Sequence, residues 1–365
     1  MNLTKEQFFK RQITLSEISK EGQEKLLKSK ILVVGCGGLG SPIAVYLAMS
    51  GVGEIHLIDF DTIAITNLHR QVFYRLDDIG KYKSEVLANF IKQRTPFTKV
   101  TFSIKPVQKE TVLNLINEFD IIVDGTDSLP TKYLLNDACV LKNKPLVYGS
   151  LYKFDGYVAT FNVPQKEEKF SCNLRDAFPV MATDIPNCEE AGTLNPIVGM
   201  IALQQVNEVI KLITGVGKPL VNQLLIYNSL QNLQLKMKLK SADICHLERK
   251  RRISKIFSKE TYFDVGCEIQ NPDWLISKEK MNTILVKEKR SQYQIISLIQ
   301  KEQNYPFSVN EKVSIKNIES ITIDPKKEYI FVCKKGITSY KAVKILKEKY
   351  PSIKMLSLIG GILNY

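Results

Sequence analysis

The residues with the plainest chemical potential form a glycine-rich run, Gly35-Cys36-Gly37-Gly38-Leu39-Gly40, in the spacing G-x-G-x-x-G. Without side chains, the backbone at Gly35, Gly37, Gly38 and Gly40 can turn tightly and lie against a phosphate. A helix starting there adds free N–H groups and a positive dipole end. Asp59 closes the next apolar run, where a carboxylate can accept hydrogen bonds from ribose hydroxyls. Beyond it come Asp61, then Thr66-Asn67-Leu68-His69-Arg70-Gln71, then Lys81 and Lys83. A nicotinamide dehydrogenase needs an apolar pocket in this stretch. Cations beside a nucleotide instead suit a triphosphate, whose charge must be neutralised during phosphoryl or nucleotidyl transfer.

Elements that could position these groups follow from periodicity. Residues 31–35, 54–59, 100–104, 121–124 and 145–149 are short, β-branched apolar runs that read as buried parallel strands. Helical stretches over 39–50, 84–94 and 111–119 alternate with them. This β-α-β alternation predicts an α/β fold with a doubly wound, Rossmann-like, mostly parallel sheet. After Ser150 the pattern changes: residues 157–161, 224–227 and 233–239 predict an antiparallel extension, with a long helix over 195–213 between them. Residues 164–193 are aperiodic and hold Pro164, Pro179, Pro186 and Gly192; irregular stretches of this length within a domain are often functional.

The ordered set is similar to one family. Arg11-Gln-Ile13, the glycine run, Asp59-Phe-Asp61, Asn67-Leu-x-Arg-Gln71, Lys83, Asp124-Gly-Thr-Asp127, Leu134-Leu-Asn-Asp137 and Cys188-Glu-Glu-Ala-Gly192 resemble the ThiF/MoeB/HesA family, bacterial relatives of ubiquitin-activating enzymes. The resemblance runs from about Phe8 to Leu239 and implies an ATP-dependent adenylyltransferase. In that chemistry the terminal carboxylate of a ubiquitin-like sulfur carrier ending in Gly-Gly attacks the α-phosphorus and pyrophosphate leaves. Catalysis is then positioning plus charge stabilisation. The resemblance implies that Gly38 approaches the nucleotide through its backbone, that Asp59 binds ribose, and that Asn67, Arg70 and Lys83 hold phosphates. Asp127, beside Ser128, would bind Mg²⁺ through carboxylate oxygen. Arg11 would reach the phosphates of a partner subunit, which implies a homodimer. Cys188 would react covalently with the activated carrier.

Seven scattered cysteines, an odd number at irregular spacing, argue against a disulfide framework. Many relatives hold a structural zinc with two C-x-x-C pairs. Here the pairs read Cys172-Asn-Leu-Arg175 and Cys245-His-Leu-Glu248, so one cysteine of each is gone. The expectation is that zinc is absent and that Arg175 and Glu248 form an ion pair in its place; Cys172, Cys245, His246 and Glu248 would make only a poor metal site.

The last third reads as a smaller α/β domain over 261–365, joined to an adenylyltransferase domain over 1–245 by a charged linker, 246–260. Its strand 328–333 ends in Cys333, before a helix expected from Tyr340, and Gly360-Gly361 lies near the chain's end. A cysteine at a helix N-terminus gains stabilisation of its thiolate or persulfide. This C-x-x-G-x-x-S loop resembles the rhodanese-like sulfurtransferases. Cys333 would carry a persulfide supplied by a donor such as a cysteine desulfurase, and pass sulfur to the activated carrier.

The 365 residues carry a formal charge of +13. A lysine-rich surface suited to an acidic protein partner explains that charge without nucleic acid. No apolar run approaches the roughly 20 residues that span a bilayer, and the start of the chain lacks a signal-peptide pattern. No membrane role is expected, and the location is expected to be cytoplasmic. Carriers for molybdenum cofactor synthesis, as the small subunit of molybdopterin synthase, or for thiamine synthesis fit the same chemistry. So does ligation of a ubiquitin-like modifier. A non-catalytic nucleotide-binding scaffold is the alternative of a different class.

Overall fold

The computed structural model describes residues 3–166, 169–181, 192–242, 244–262, 271–286, 292–299, 305–334 and 336–365. The chain divides into two compact units, Met1–Phe263 and Asp264–Tyr365.

The first unit is built on an eight-stranded sheet. Its strands are β1 (Lys30–Val34), β2 (Glu54–Ile58), β3 (Lys99–Ser103), β4 (Ile121–Asp124), β5 (Leu146–Tyr152), β6 (Asp155–Phe161), β7 (Gln223–Asn228) and β8 (Leu233–Lys238). They lie in the order β3-β2-β1-β4-β5-β6-β7-β8. The first five run parallel and the last three antiparallel. Short helices α1 (Lys5–Phe8) and α2 (Lys10–Ile13) lead into α3 (Ser19–Lys28). Then come α4 (Gly40–Met49), α5 (Lys83–Lys92), α6 (Lys109–Asn117), α7 (Leu129–Lys142), the short α8 (Leu174–Ala177), α9 (Asn195–Thr214) and α10 (His246–Lys259).

The two-residue side-chain period of β1 shows why both sheet faces are covered. Ile31 and Val33 pack with Ile43 and Leu47 of α4, Leu87 of α5 and Ile201 of α9. Leu32 and Val34 pack on the other face with Ile116 of α6 and Leu135 of α7. The strand order reverses between β1 and β4, so their carboxyl ends open a crevice, the place where such sheets take ligands.

Two expectations change. Residues 246–260 are no solvated linker but helix α10, inside the first unit. Its charges at Glu248, Arg251 and Arg252 face water, while Arg249 and Ile253, four residues apart, are buried. Helix α9 has the length and hydropathy of a bilayer span, against the expectation that no apolar run approaches that length. It packs on α4, β5 and β6 as a core helix.

The second unit holds a five-stranded parallel sheet in the order β11-β10-β12-β13-β9. Its strands are β9 (Leu275–Ile276), β10 (Tyr293–Ser297), β11 (Glu311–Lys312), β12 (Glu328–Val332) and β13 (Met355–Leu358), with helices α11 (Lys278–Val286) and α12 (Ile337–Lys349). Helix α12 starts three residues earlier than expected, because Gly336 takes a left-handed φ of 83° and turns the chain into it.

Candidate active site

The glycine turn joins β1 to α4, and the Asp124–Asp127 loop leaves β4 beside it. Three of its glycines are fixed by contacts within the protein. A Cβ on Gly35, whose φ is +87°, would stand 2.9 Å from the Gly125 backbone; one on Gly40 would overlap the Gly35 carbonyl at 1.7 Å; one on Gly38 would meet Val198 at 2.7 Å. No side chain caps the N-terminus of α4; Ser41 N–H is taken by the Gly37 carbonyl at 3.0 Å, so an anion there would meet the helix dipole and the N–H groups of the turn just before it.

Asp59 follows β2 and is held by two backbone donors. Cys36 N–H donates to Oδ2 at 2.6 Å and Asp61 N–H to Oδ1 at 2.8 Å. Burial raises its pKa to about 6, against the pull of Lys83. Lys83 opens α5, with Nζ 2.8 Å from Asp61 Oδ2. Burial weakens its charged form, but the Asp59 and Asp61 carboxylates outweigh that and raise its pKa. Asp127 is exposed and close enough to act on Lys83 electrostatically. Asn67 is buried and caps its own turn, accepting from Ala64 N–H at 3.2 Å. Arg70 donates to the Thr66 carbonyl at 2.9 Å and lies 3.1 Å from His69 Nε2. Leu68 is half-buried and packs on the core. Ser128 caps α7, its hydroxyl accepting from Thr131 N–H at 3.2 Å.

The crevice therefore brings together the glycine turn, Asp59, Asp61, Lys83 and Asp127, with the 66–70 segment alongside. Arg11 is exposed on α2 and, among the described residues, makes no hydrogen bond or ion pair with this group. The neighbouring Gln12 fixes α2 by donating to Gln23 at 2.7 Å and to the Ser50 carbonyl at 2.9 Å. Cys188 lies outside the described residues.

Lys132 is a residue the sequence reading missed. It is buried on α7, and its ammonium donates to Asp124 at 2.9 Å and to the Thr126 and Gly149 carbonyls, each at 2.7 Å. All three N–H donors are used. They tie the start of the loop that carries Asp127 to α7 and to strand β5. A lysine amid the apolar face of a helix was the available signal.

The expected Arg175–Glu248 pair does not form. Arg175 is buried and grips Asp137, with Nε and Nη2 donating at 2.7 to 2.9 Å; Tyr262 donates to the same carboxylate. Glu248 stays exposed on the water face of α10. It is Arg249 that turns inward, donating to the Ser171 carbonyl at 2.6 Å and to Ser241. The donor set does not fit a zinc. Only two of the four positions offer cysteine: Cys172, whose thiol burial and the Asp176 carboxylate push up to about 12, and Cys245, exposed at the start of α10. Among the described residues no three or more His, Cys, Asp or Glu side chains are grouped to hold a metal.

In the second unit Cys333 follows β12 and is buried. Its Sγ lies 3.3 Å from Ser339 Oγ, which accepts from Ser357 at 2.8 Å. The Ile362 N–H donates to the Cys333 carbonyl at 3.0 Å, tying the Gly360-Gly361 end to this loop.

Known proteins resemble this chain over one or both units. The chain is 37% identical over 235 residues to a sulfur carrier protein adenylyltransferase of Thermus thermophilus, covering 63% of this chain and 87% of that one. It is 31% identical to the adenylyltransferase and sulfurtransferase MOCS3 of Caenorhabditis briggsae, over 97% of this chain and 92% of the relative. Crystal structures of Escherichia coli MccB superpose on 67% of the chain; the one with ATP gives a TM-score of 0.58 at 26% identity and is covered over 74%. The ThiF family pattern matches residues 9–247. The chain belongs to the ThiF family.

Proposed function

We propose that this enzyme uses ATP to adenylate the C-terminal glycine of a ubiquitin-like sulfur-carrier protein, and that its second unit, rhodanese-like, delivers sulfur to the activated carrier. The observation that carries the reading is the crevice between β1 and β4, where Asp59, Lys83 and the Asp127 loop surround the glycine turn.

A carboxylate oxygen of the carrier forms a bond to the α-phosphorus, and the bond from that phosphorus to the pyrophosphate oxygen breaks. Asp59 would orient the ribose by accepting from its hydroxyls. Lys83 and Arg70 would balance charge on the phosphates as pyrophosphate departs, and Asn67 would fix the turn that presents Arg70. Asp127 would hold Mg²⁺, which supplies further charge neutralisation when bound. Arg11 would act on the partner's site in a homodimer. The outer sulfur of a persulfide on Cys333, loaded by a separate donor, would bond to the carrier's carbonyl carbon as AMP leaves; a second thiol would then attack the Cys333 sulfur, forming a disulfide with it and releasing the carrier as the thiocarboxylate. The MOCS3 relative combines both activities in its name and matches nearly the whole chain, which favours adenylyl and sulfur transfer by one chain; the small subunit of molybdopterin synthase is the first candidate carrier, on the Arg11-Gln-Ile13 start and the rhodanese-like second unit, and the thiamine carrier the second.

ATP–pyrophosphate exchange with purified carriers tests the proposal. Exchange is expected only when a carrier ending in Gly-Gly is present. Sulfur transfer from thiosulfate is expected in the wild type and lost in Cys333→Ser, which keeps exchange. A chain that binds ATP yet ignores every such carrier would overturn the reading.

A further inference from the structure

Strand β13 holds one polar residue in an apolar run. Met355, Leu356 and Leu358 are buried, and so is Ser357. Burying a hydroxyl without a hydrogen-bond partner is unfavourable, so a serine here has to be bonded. Among the described residues its hydroxyl has two partners, and both belong to the turn after Cys333. They are Ser339 Oγ at 2.8 Å and the Gly336 carbonyl at 3.3 Å. Register explains the reach. Ser357 pairs with Phe331 of β12, and Cys333 follows two residues later, one side-chain period on.

Proton count gives this chain of groups a direction. A serine hydroxyl has one proton to donate. That of Ser357 goes to Ser339, the shorter contact, because the Gly336 carbonyl already accepts from Tyr340 N–H at 3.2 Å. Ser339 keeps its own proton, and its remaining partner among the described residues is Cys333 Sγ at 3.3 Å. Ser339 and Ser357 are fully buried and Cys333 is 4% exposed. Out of solvent, each of these hydrogen bonds counts for more than it would at the surface.

We propose that Ser357 is a positioning residue for sulfur transfer: its hydroxyl turns that of Ser339 so that Ser339 donates to Cys333 Sγ. A donor aimed at Sγ suits both the thiolate and the inner sulfur of a persulfide, neither of which has a proton to give back. Ser339 lies in the same loop as the cysteine, whereas Ser357 comes from a separate strand and acts only through Ser339. The inference rests on the reading of Cys333 as the persulfide-bearing residue.

The test follows iodoacetamide alkylation of Cys333 in the full chain by site-resolved mass spectrometry, from about pH 5 to about pH 10. Alkylation needs the thiolate. On the rising part of the profile, Ser339→Ala is expected to react about tenfold more slowly than the wild type and Ser357→Ala about threefold more slowly. At the alkaline end, where the thiol ionises without help, all three are expected to react alike. The double variant is expected to match Ser339→Ala, because the two hydroxyls act in series. Ser357→Thr and Ser357→Val share one shape, and only the threonine keeps the hydroxyl. The Thr variant is expected to be the faster of that pair, a comparison that decides the matter even where Ser357→Ala folds poorly. Sulfur transfer from thiosulfate should fall in the same order, with ATP–pyrophosphate exchange unchanged. Wild-type alkylation in Ser357→Ala, a slowing that persists at the alkaline end, or effects of the two serines that multiply overturns the proposal. A wild-type chain that takes sulfur neither from thiosulfate nor from a cysteine desulfurase sinks the persulfide reading, and the alkylation profile still decides the serine relay. Transfer by the wild type beside an unaffected Ser357→Ala sinks only the relay.

Discussion

Asp59 shows how one buried carboxylate can make nucleotide binding depend on pH. Burial raises its pKa to about 6, although two backbone N–H groups and Lys83 favour its charged form. Its oxygens accept fully only when ionised, and the ionised fraction falls as pH drops through that value. The expected outcome is a KM for ATP that rises below about pH 6. Nucleotide titration contributes its own slope, so the component belonging to Asp59 is the part that Asp59→Asn removes. An identical pH profile in the variant would assign the whole effect elsewhere. Asp59 and Lys83 were both legible in the sequence, because each sits at a fixed place after a strand or before a helix. Lys132 was not: its three acceptors come from the end of β4, the loop after it and strand β5, and only the folded chain gathers them.

Among the elements, α7 and α10 carry the departure from the zinc-binding pattern. The sequence signalled that two metal ligands were missing, and charge alone suggested pairing Arg175 with Glu248. Helical phase decides otherwise. Glu248 falls on the water face of α10 and its neighbour Arg249 on the buried face, while Arg175 reaches the fully buried Asp137 of α7. The α10 phase also converts an expected linker into part of the first unit; a run of charges says little when two of every seven residues suffice to anchor a helix. Metal analysis of purified protein is therefore expected to find no tightly held zinc, and chelators are expected to leave the melting temperature unchanged. Arg175→Met strands Asp137 in the core. Removing one partner of a buried pair costs about 3–5 kcal/mol, so this variant should melt well below the wild type. One zinc per chain, or a wild-type melt for Arg175→Met, would contradict the substitution of arginine clamps for metal.

For the whole molecule, the open question is how many chains make one site. The crevice in this chain gathers Asp59, Lys83 and Asp127, but Arg11 stands apart on an exposed helix fixed by Gln12. Among the described residues the Arg11 side chain makes no hydrogen bond or ion pair, and a partner's site is where it would be used. That assignment predicts complementation. Arg11→Ala and Asp127→Ala are each expected to abolish most pyrophosphate exchange when alone. Co-expressed, they form mixed dimers in which one site combines an intact Asp127 with an intact Arg11, and the other lacks both. Random pairing makes half the dimers mixed, so exchange should recover to about a quarter of the wild-type value. If Arg11 instead serves the site of its own chain, every site in the mixture lacks one of the two groups. Activity then stays at the level of the single variants, and the shared site is refuted.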